Sequence, residues 1–134
     1  MDFGLTDEQQ QYMKSLGDFL AAEIAPHASA LDRTETFRRE NLAALARFGF
    51  TGLNFPEEYG GTGADLLTTT MASIELARAC AATALSVGAS LALCGFPILK
   101  HGTDEQRRRY LPRLISGASI GALALTEPGA GSDL

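Results

Sequence analysis

The sequence predicts an all-α domain that runs into a single β-strand near its C-terminal end, and three observations carry that prediction. Two Thr-x-x-Gln boxes, at Thr6 to Gln9 and Thr103 to Gln106, each open a stretch of helical character. In such a box the Thr hydroxyl and the Gln amide satisfy N–H groups that a helix start leaves unpaired. Residues 79–99 carry no charge, the pattern of a helix buried all round. Strand-like composition, short and branched apolar residues, is confined to 119–125.

In chain order, Tyr12, Met13, Leu16, Phe19, Leu20 and Ile24 recur at helical spacing behind the first box, and Pro26 is expected to close that helix. A second helix is expected over 36–48, with Leu42 and Leu45 inward, Arg38, Arg39 and Glu40 on a solvated face, and Gly49 as its stop. Residues 50–65 are dense in Gly, Pro, Asn and Asp and read as an ordered loop pinned by Phe55 and Tyr59. Helical spacing resumes at Leu66 and passes through Met71, Ile74 and Ala77 into the uncharged segment. The second box opens a helix over 103–115, with Asp104 and Glu105 in its first turn and Arg107, Arg108 and Arg109 after them, as the helix dipole favours. Pro112 predicts a kink or break in it, and Gly117 its end.

The 134 residues, 46% hydrophobic and 20% charged, describe one globular domain with a real core. A net charge of −5 argues against nucleic acid, whose phosphates require a basic surface. Cys80 and Cys94 sit in apolar, helix-like surroundings without metal-ligand spacing, and the opening residues lack the basic and apolar regions of a signal peptide. A reducing, cytoplasmic setting is the expectation. His27 and His101 are isolated and read as surface residues, so no metal site is expected. Residues 79–99 are long enough to span a bilayer, but Gly88, Gly95 and Pro97 interrupt them and no Trp or Tyr belt flanks them. They read as a core helix.

The run 124–133, Ala-Leu-Thr-Glu-Pro-Gly-Ala-Gly-Ser-Asp, has the order of a strand that stops and hands its backbone to a ligand. Gly129 and Gly131 permit close backbone approach, and successive N–H groups of such a turn can cradle an anion such as a pyrophosphate. Thr126 and Ser132 add hydroxyls, and Asp133 can cap the next element or fix the turn. On residue chemistry alone, a ligand-binding loop and a plain turn both remain open.

The string Leu125-Thr-Glu-Pro-Gly-Ala-Gly-Ser-Asp133 resembles the signature of the acyl-CoA dehydrogenase family, flavoenzymes that desaturate acyl-CoA thioesters. Further landmarks resemble that family in its own order: Leu5-Thr-Asp-Glu-Gln9, Glu23-Ile-Ala-Pro-His27, Phe55-Pro-Glu-Glu-Tyr-Gly-Gly61, and Gly102-Thr-Asp-Glu-Gln-Arg-Arg-Arg-Tyr-Leu-Pro112. The resemblance implies an up-and-down helical N-terminal domain over 1–117, and at 118–134 the first strand and FAD-contacting loop of a middle β-domain. It implies FAD as cofactor, an acyl-CoA substrate, electron-transfer flavoprotein or a similar acceptor, and a homotetramer or homodimer for the complete protein.

Carried over by position, Leu123, Leu125, Thr126, Gly131 and Ser132 match the family's flavin-contacting stretch, and Ser132 also matches a contact to CoA. Thr126 matches the threonine that hydrogen-bonds the flavin ring, whereas the position of Leu123 is often aromatic in the family. Ala89, Ser90, Leu93 and Cys94 lie on the helix matching the one that lines the acyl-chain pocket, where ordinary helix packing is the competing reading. The family's glutamate base matches no residue here, so no catalytic residue is assigned and the chain alone is expected to be inactive. An acyl-CoA oxidase or related flavin monooxygenase of the same fold, and a non-catalytic helical subunit completed by a separate chain, stay open. A helical domain isolated from its partners is expected to expose apolar surface, chiefly on the uncharged helix.

Overall fold

Both Thr boxes close as their residues dictate. In a computed structural model of the chain, which describes residues 4–132, Thr6 Oγ1 accepts from Gln9 N at 3.2 Å while Gln9 Oε1 accepts from Thr6 N at 2.9 Å. Thr103 and Gln106 repeat the exchange at 3.2 and 2.8 Å. They open α1 (Asp7–Glu23) and α7 (Asp104–Ile115). Between these lie α2 (Ala25–Thr34), α3 (Arg39–Phe48), α4 (Leu66–Ala79), α5 (Ala81–Gly88), a π-helix (Ala89–Gly95) and α6 (Phe96–His101).

Pro26 begins a helix rather than ending one. The chain breaks at Ile24, which is fully buried, and Pro26 takes a place in the first turn of α2, where its missing N–H has no partner to lose. The next helix starts at Arg39, not 36, because the chain turns at Glu35 (φ 52°) and Thr36 N bonds back to the Leu31 carbonyl. Gly49, at φ 91°, ends α3 as expected. Pro112 lies inside α7 without breaking it; the helix continues to Ile115.

The core gathers Leu16, Leu20 and Ile24 with Leu42, Leu45, Phe55, Leu76 and Leu111. A polar chain, buried from Asn41 inward, links α3 to α5: Arg38 Nη1 donates to Asn41 Oδ1 (2.7 Å), Asn41 Nδ2 to Thr83 Oγ1 (2.9 Å), and Thr83 Oγ1 to Cys80 Sγ (3.1 Å). Residues 50–65 form an ordered loop with two 3-10 turns, Phe50–Gly52 and Glu57–Tyr59. Phe55 and Tyr59 pin it as expected, both buried.

The expectation of a helix buried all round is corrected. Residues 81–101 form a helix long and apolar enough to cross a membrane by length and composition. Here Thr83, Val87, Ser90, Leu91 and Gly95 face the core, while Leu85 is 76% exposed and Leu93 50%. The outward face holds Ala81, Ala82, Gly88 and Ala92, so small residues and leucines, not charges, fill it. The expected strand at 119–125 is also corrected: those residues join no β-ladder among the described residues. A strand exists only through a neighbour, and among the described residues no strand lies alongside to supply one.

Asp65 ties α4 to α1. Its Oδ1 accepts from Thr68 N (2.7 Å), capping α4, and its Oδ2 accepts from Gln9 Nε2 (3.0 Å). Hydrogen bonds from Thr68, its side chain first and its backbone second, hold the Asp65 carboxyl below the usual carboxylate range, with Gln9 assisting. Because the folded-state value is lowered, the stability it contributes is complete above the unfolded value near pH ~4 and is lost as pH falls through the folded one. Asn also caps helices but does not titrate. The melting temperature of Asp65→Asn, followed by circular dichroism, is therefore expected to drop less than wild type's between about pH 6 and pH 2. Equal drops would refute this role for Asp65.

Candidate functional site

Among the described residues, the segment after α7 is hydrogen-bonded to the helical body at Ser119 and Gly121. It leaves through Gly117 (φ 72°), and Arg113 grips Ser119 twice: its carbonyl accepts from Ser119 N (2.9 Å) and its Nε donates to Ser119 Oγ (3.2 Å). Two residues on, Gly121 N donates to Ser90 Oγ at 2.9 Å. Beyond that, Leu123 and Leu125 stand 47% and 50% exposed, and Thr126 is exposed as well.

The signature string then folds on itself. Glu127 N donates to the Ala130 carbonyl (2.8 Å) and Ala130 N to the Glu127 carbonyl (3.2 Å), closing a two-residue turn over Pro128 and Gly129. The turn brings Gly131 back beside Thr126, since a Cβ on Gly131 would lie 3.7 Å from the Thr126 methyl. Thr126 and Gly131 thus meet, and Ser132 follows, exposed. A Cβ at Gly129 would meet nothing within 4 Å, so the turn presents open backbone. The arrangement offers two hydroxyls, exposed backbone and one carboxylate, Glu127; Asp133 lies outside the described residues. Such groups can hold a polar ligand by hydrogen bonds but carry no positive charge to neutralise it.

The helical candidates separate. Ala89 is half-buried, Leu93 points outward, and Ser90 is buried against the tail. None of the three lines the cavity of about 110 Å³ between the loop at 50–54, α4 and the α5/π-helix. That cavity is walled instead by Phe50, Leu53, Leu76, Val87 and Leu91, with Thr69 and Ser73 as its hydroxyls. Sequence reasoning missed these residues, although the spacing of Thr69 with Ser73 and of Val87 with Leu91 places each pair on one helix face. Cys80 and Cys94 are both free thiols.

Residues 6–118 match the family described as Acyl-CoA dehydrogenase, N-terminal domain. The chain is 41% identical over 133 residues to the short-chain-specific acyl-CoA dehydrogenase of Clostridium acetobutylicum, covering 99% of this chain and 35% of that protein. The three-dimensional structure of butyryl-CoA dehydrogenase from Megasphaera elsdenii superposes with a TM-score of 0.89 at 39% identity, over 99% of this chain and 36% of that one. An acyl-CoA dehydrogenase from Bacillus anthracis, complexed with FAD, superposes with a TM-score of 0.87 at 35% identity, over 96% of this chain and 22% of that one. The chain spans about a third of the length of the curated relatives it matches.

Proposed function

The chain belongs to the acyl-CoA dehydrogenase family, and from that premise we propose that it supplies the N-terminal helical part of a FAD-dependent enzyme that desaturates acyl-CoA thioesters. The observation that carries the reading is the turn that returns Gly131 to Thr126 within the signature string. Leu123, Leu125, Thr126, Gly131 and Ser132 form one edge of the flavin site in this reading. The fit rests on this turn's chemistry: Thr126 is exposed, the backbone at Gly129 is unobstructed, and Gly131 has only the Thr126 methyl beside it.

Bound there, FAD would supply the hydride acceptor for the reaction. Thr126 orients the flavin ring by hydrogen bonding, and the glycines bring backbone N–H groups near its phosphates without a Cβ intervening. Ser132 serves both cofactor and the CoA portion of the substrate. The acyl chain enters beside α4 and the α5/π-helix, where the cavity of about 110 Å³ is the start of its pocket; Ala89 and Leu93 lie on the same helix outside that cavity. No carboxylate among the described residues is assigned the α-proton; Glu75, for one, is engaged by Arg78 at 2.9 Å. The base and the facing wall of the flavin site belong to the rest of such an enzyme. Exposed Leu66 (83%) and Leu85 (76%) suit a helical face that further protein covers. The same reading brings an electron-accepting flavoprotein and a homo-oligomer as partners.

A chimera tests it, with residues 4–132 replacing the corresponding third of the short-chain-specific Clostridium relative. It is expected to retain flavin and to show flavin bleaching on addition of a short acyl-CoA. Thr126→Ala in that chimera is expected to weaken FAD about tenfold, the loss of one hydrogen bond worth ~1.4 kcal/mol. A chimera that folds cooperatively yet holds no flavin would defeat the proposal.

A further inference from the structure

Ser73 and Ser86, neither of them buried, turn their hydroxyls back to their own helix, whereas the buried Ser90 does not. Ser73 Oγ donates to the Thr69 carbonyl and Ser86 Oγ to the Ala82 carbonyl, each one turn back. Ser90, only 2% exposed, accepts instead from Gly121 N, 31 residues away in sequence. At the same place a Cβ on Gly121 would stand 2.6 Å from Cys94 Cβ, 2.7 Å from its Sγ and 3.0 Å from the Ser90 carbonyl. The backbone at Gly121 therefore lies directly on the helix, over residues 90 and 94. This is the π-helix, Ala89–Gly95, whose closing bond runs from Phe96 N to the Leu91 carbonyl; such insertions are frequent at functional sites.

Thr126 lies five positions beyond Gly121, so at ~3.3–3.6 Å per extended residue the anchor confines Thr126 to within about 18 Å of Gly121. We infer that Ser90 is a positioning residue: its hydroxyl, with the Gly121–Cys94 contact, sets the point from which 122–132 leaves the helical body, and so where Thr126 meets the flavin. The second half of this inference rests on the proposed flavin role of Thr126; the anchor itself does not. Ser90 acts through the tail and not on the acyl chain, and its register is set by the glycine at 121.

Amide hydrogen exchange of the 134-residue chain, read by NMR, tests the anchor. Ser90→Ala is expected to speed exchange at Gly121 about tenfold, the loss of one hydrogen bond, and to leave the amides of α1 and α3 unchanged. Ser90→Thr, which keeps the hydroxyl, is expected to restore protection, and Gly121→Ala to lose it with Ser90 intact. Unchanged exchange at Gly121 in Ser90→Ala would overturn the anchor. In the chimera, Ser90→Ala is expected to weaken FAD several-fold with its far-ultraviolet circular dichroism unchanged. Faster exchange with unaltered FAD affinity would overturn the positioning role. A chimera without flavin would instead count against the functional reading, while the exchange experiment still decides the anchor.

Discussion

Gly61→Ala is expected to destabilise the domain by at least ~3 kcal/mol, a large share of the ~5–15 kcal/mol typical of a domain this size. A Cβ at Gly61 would lie 1.9 Å from the Phe55 carbonyl oxygen, 2.4 Å from its carbon and 2.7 Å from the Gly52 carbonyl oxygen. All three are backbone atoms, so no rotamer change relieves the clash. The loop must open, and the bonds that close it go with it. Gly61 N donates to the Pro56 carbonyl (3.1 Å), Thr62 N to Gly52 (3.0 Å), Gly63 N to Phe55 (2.9 Å) and Ala64 N to Leu53 (2.6 Å). Gly52, Leu53 and Phe55 are buried, and each carbonyl stranded there costs about 1–3 kcal/mol. Urea denaturation measures the loss. Gly129→Ala, where a Cβ meets nothing within 4 Å, is the control and is expected to stay within about 0.5 kcal/mol of wild type. A Gly61→Ala protein with the wild-type midpoint would contradict this account of the loop.

Phe55→Ala is expected to cost ~3–5 kcal/mol, the range for removing a fully buried aromatic ring. Its ring packs 5.8 Å from Phe96, centre to centre, and lies so close to Gly95 that a Cβ there would be 2.8 Å from Phe55 Cζ. Phe55 thus joins the loop to the end of the π-helix. The geometry also fixes a sign for the pair. Gly95→Ala should destabilise wild type, because its methyl meets the ring, and should do less harm or none beside Phe55→Ala, where the ring is gone. A coupling of about 0.5–3 kcal/mol in a double-mutant cycle is the expected size. Strict additivity of the two substitutions would show that the contact carries no energy.

Local rules made much of this fold readable. Caps at Thr6 and Thr103, the stop at Gly49 and the pinning of the loop by Phe55 and Tyr59 each depend on residues within a few positions of one another. Pro26 misled because proline both ends helices and begins them, and only the buried Ile24 beside it decides between the two. The uncharged helix misled only in part: burial all round failed, while the apolar exposure expected of it is seen at Leu85 and Leu93. Absence of charge says that a face can be buried, not that anything here buries it, and Leu85 and Leu93 remain outside. At the candidate site, the signature string and its turn were legible, because Pro128 and Gly129 shape a turn wherever they stand together.

The residues alone therefore settled the helical class, most of the starts and stops, and the family to which the string at 124–133 belongs. They did so because capping, periodicity and turn chemistry act over three or four positions of one chain. Only the tertiary structure decided which face of 81–101 is covered, that 119–125 joins no ladder, and that Ser90 turns to Gly121. Each of those depends on what lies opposite, and a hydrogen bond or a packed face needs a partner that the local sequence does not name.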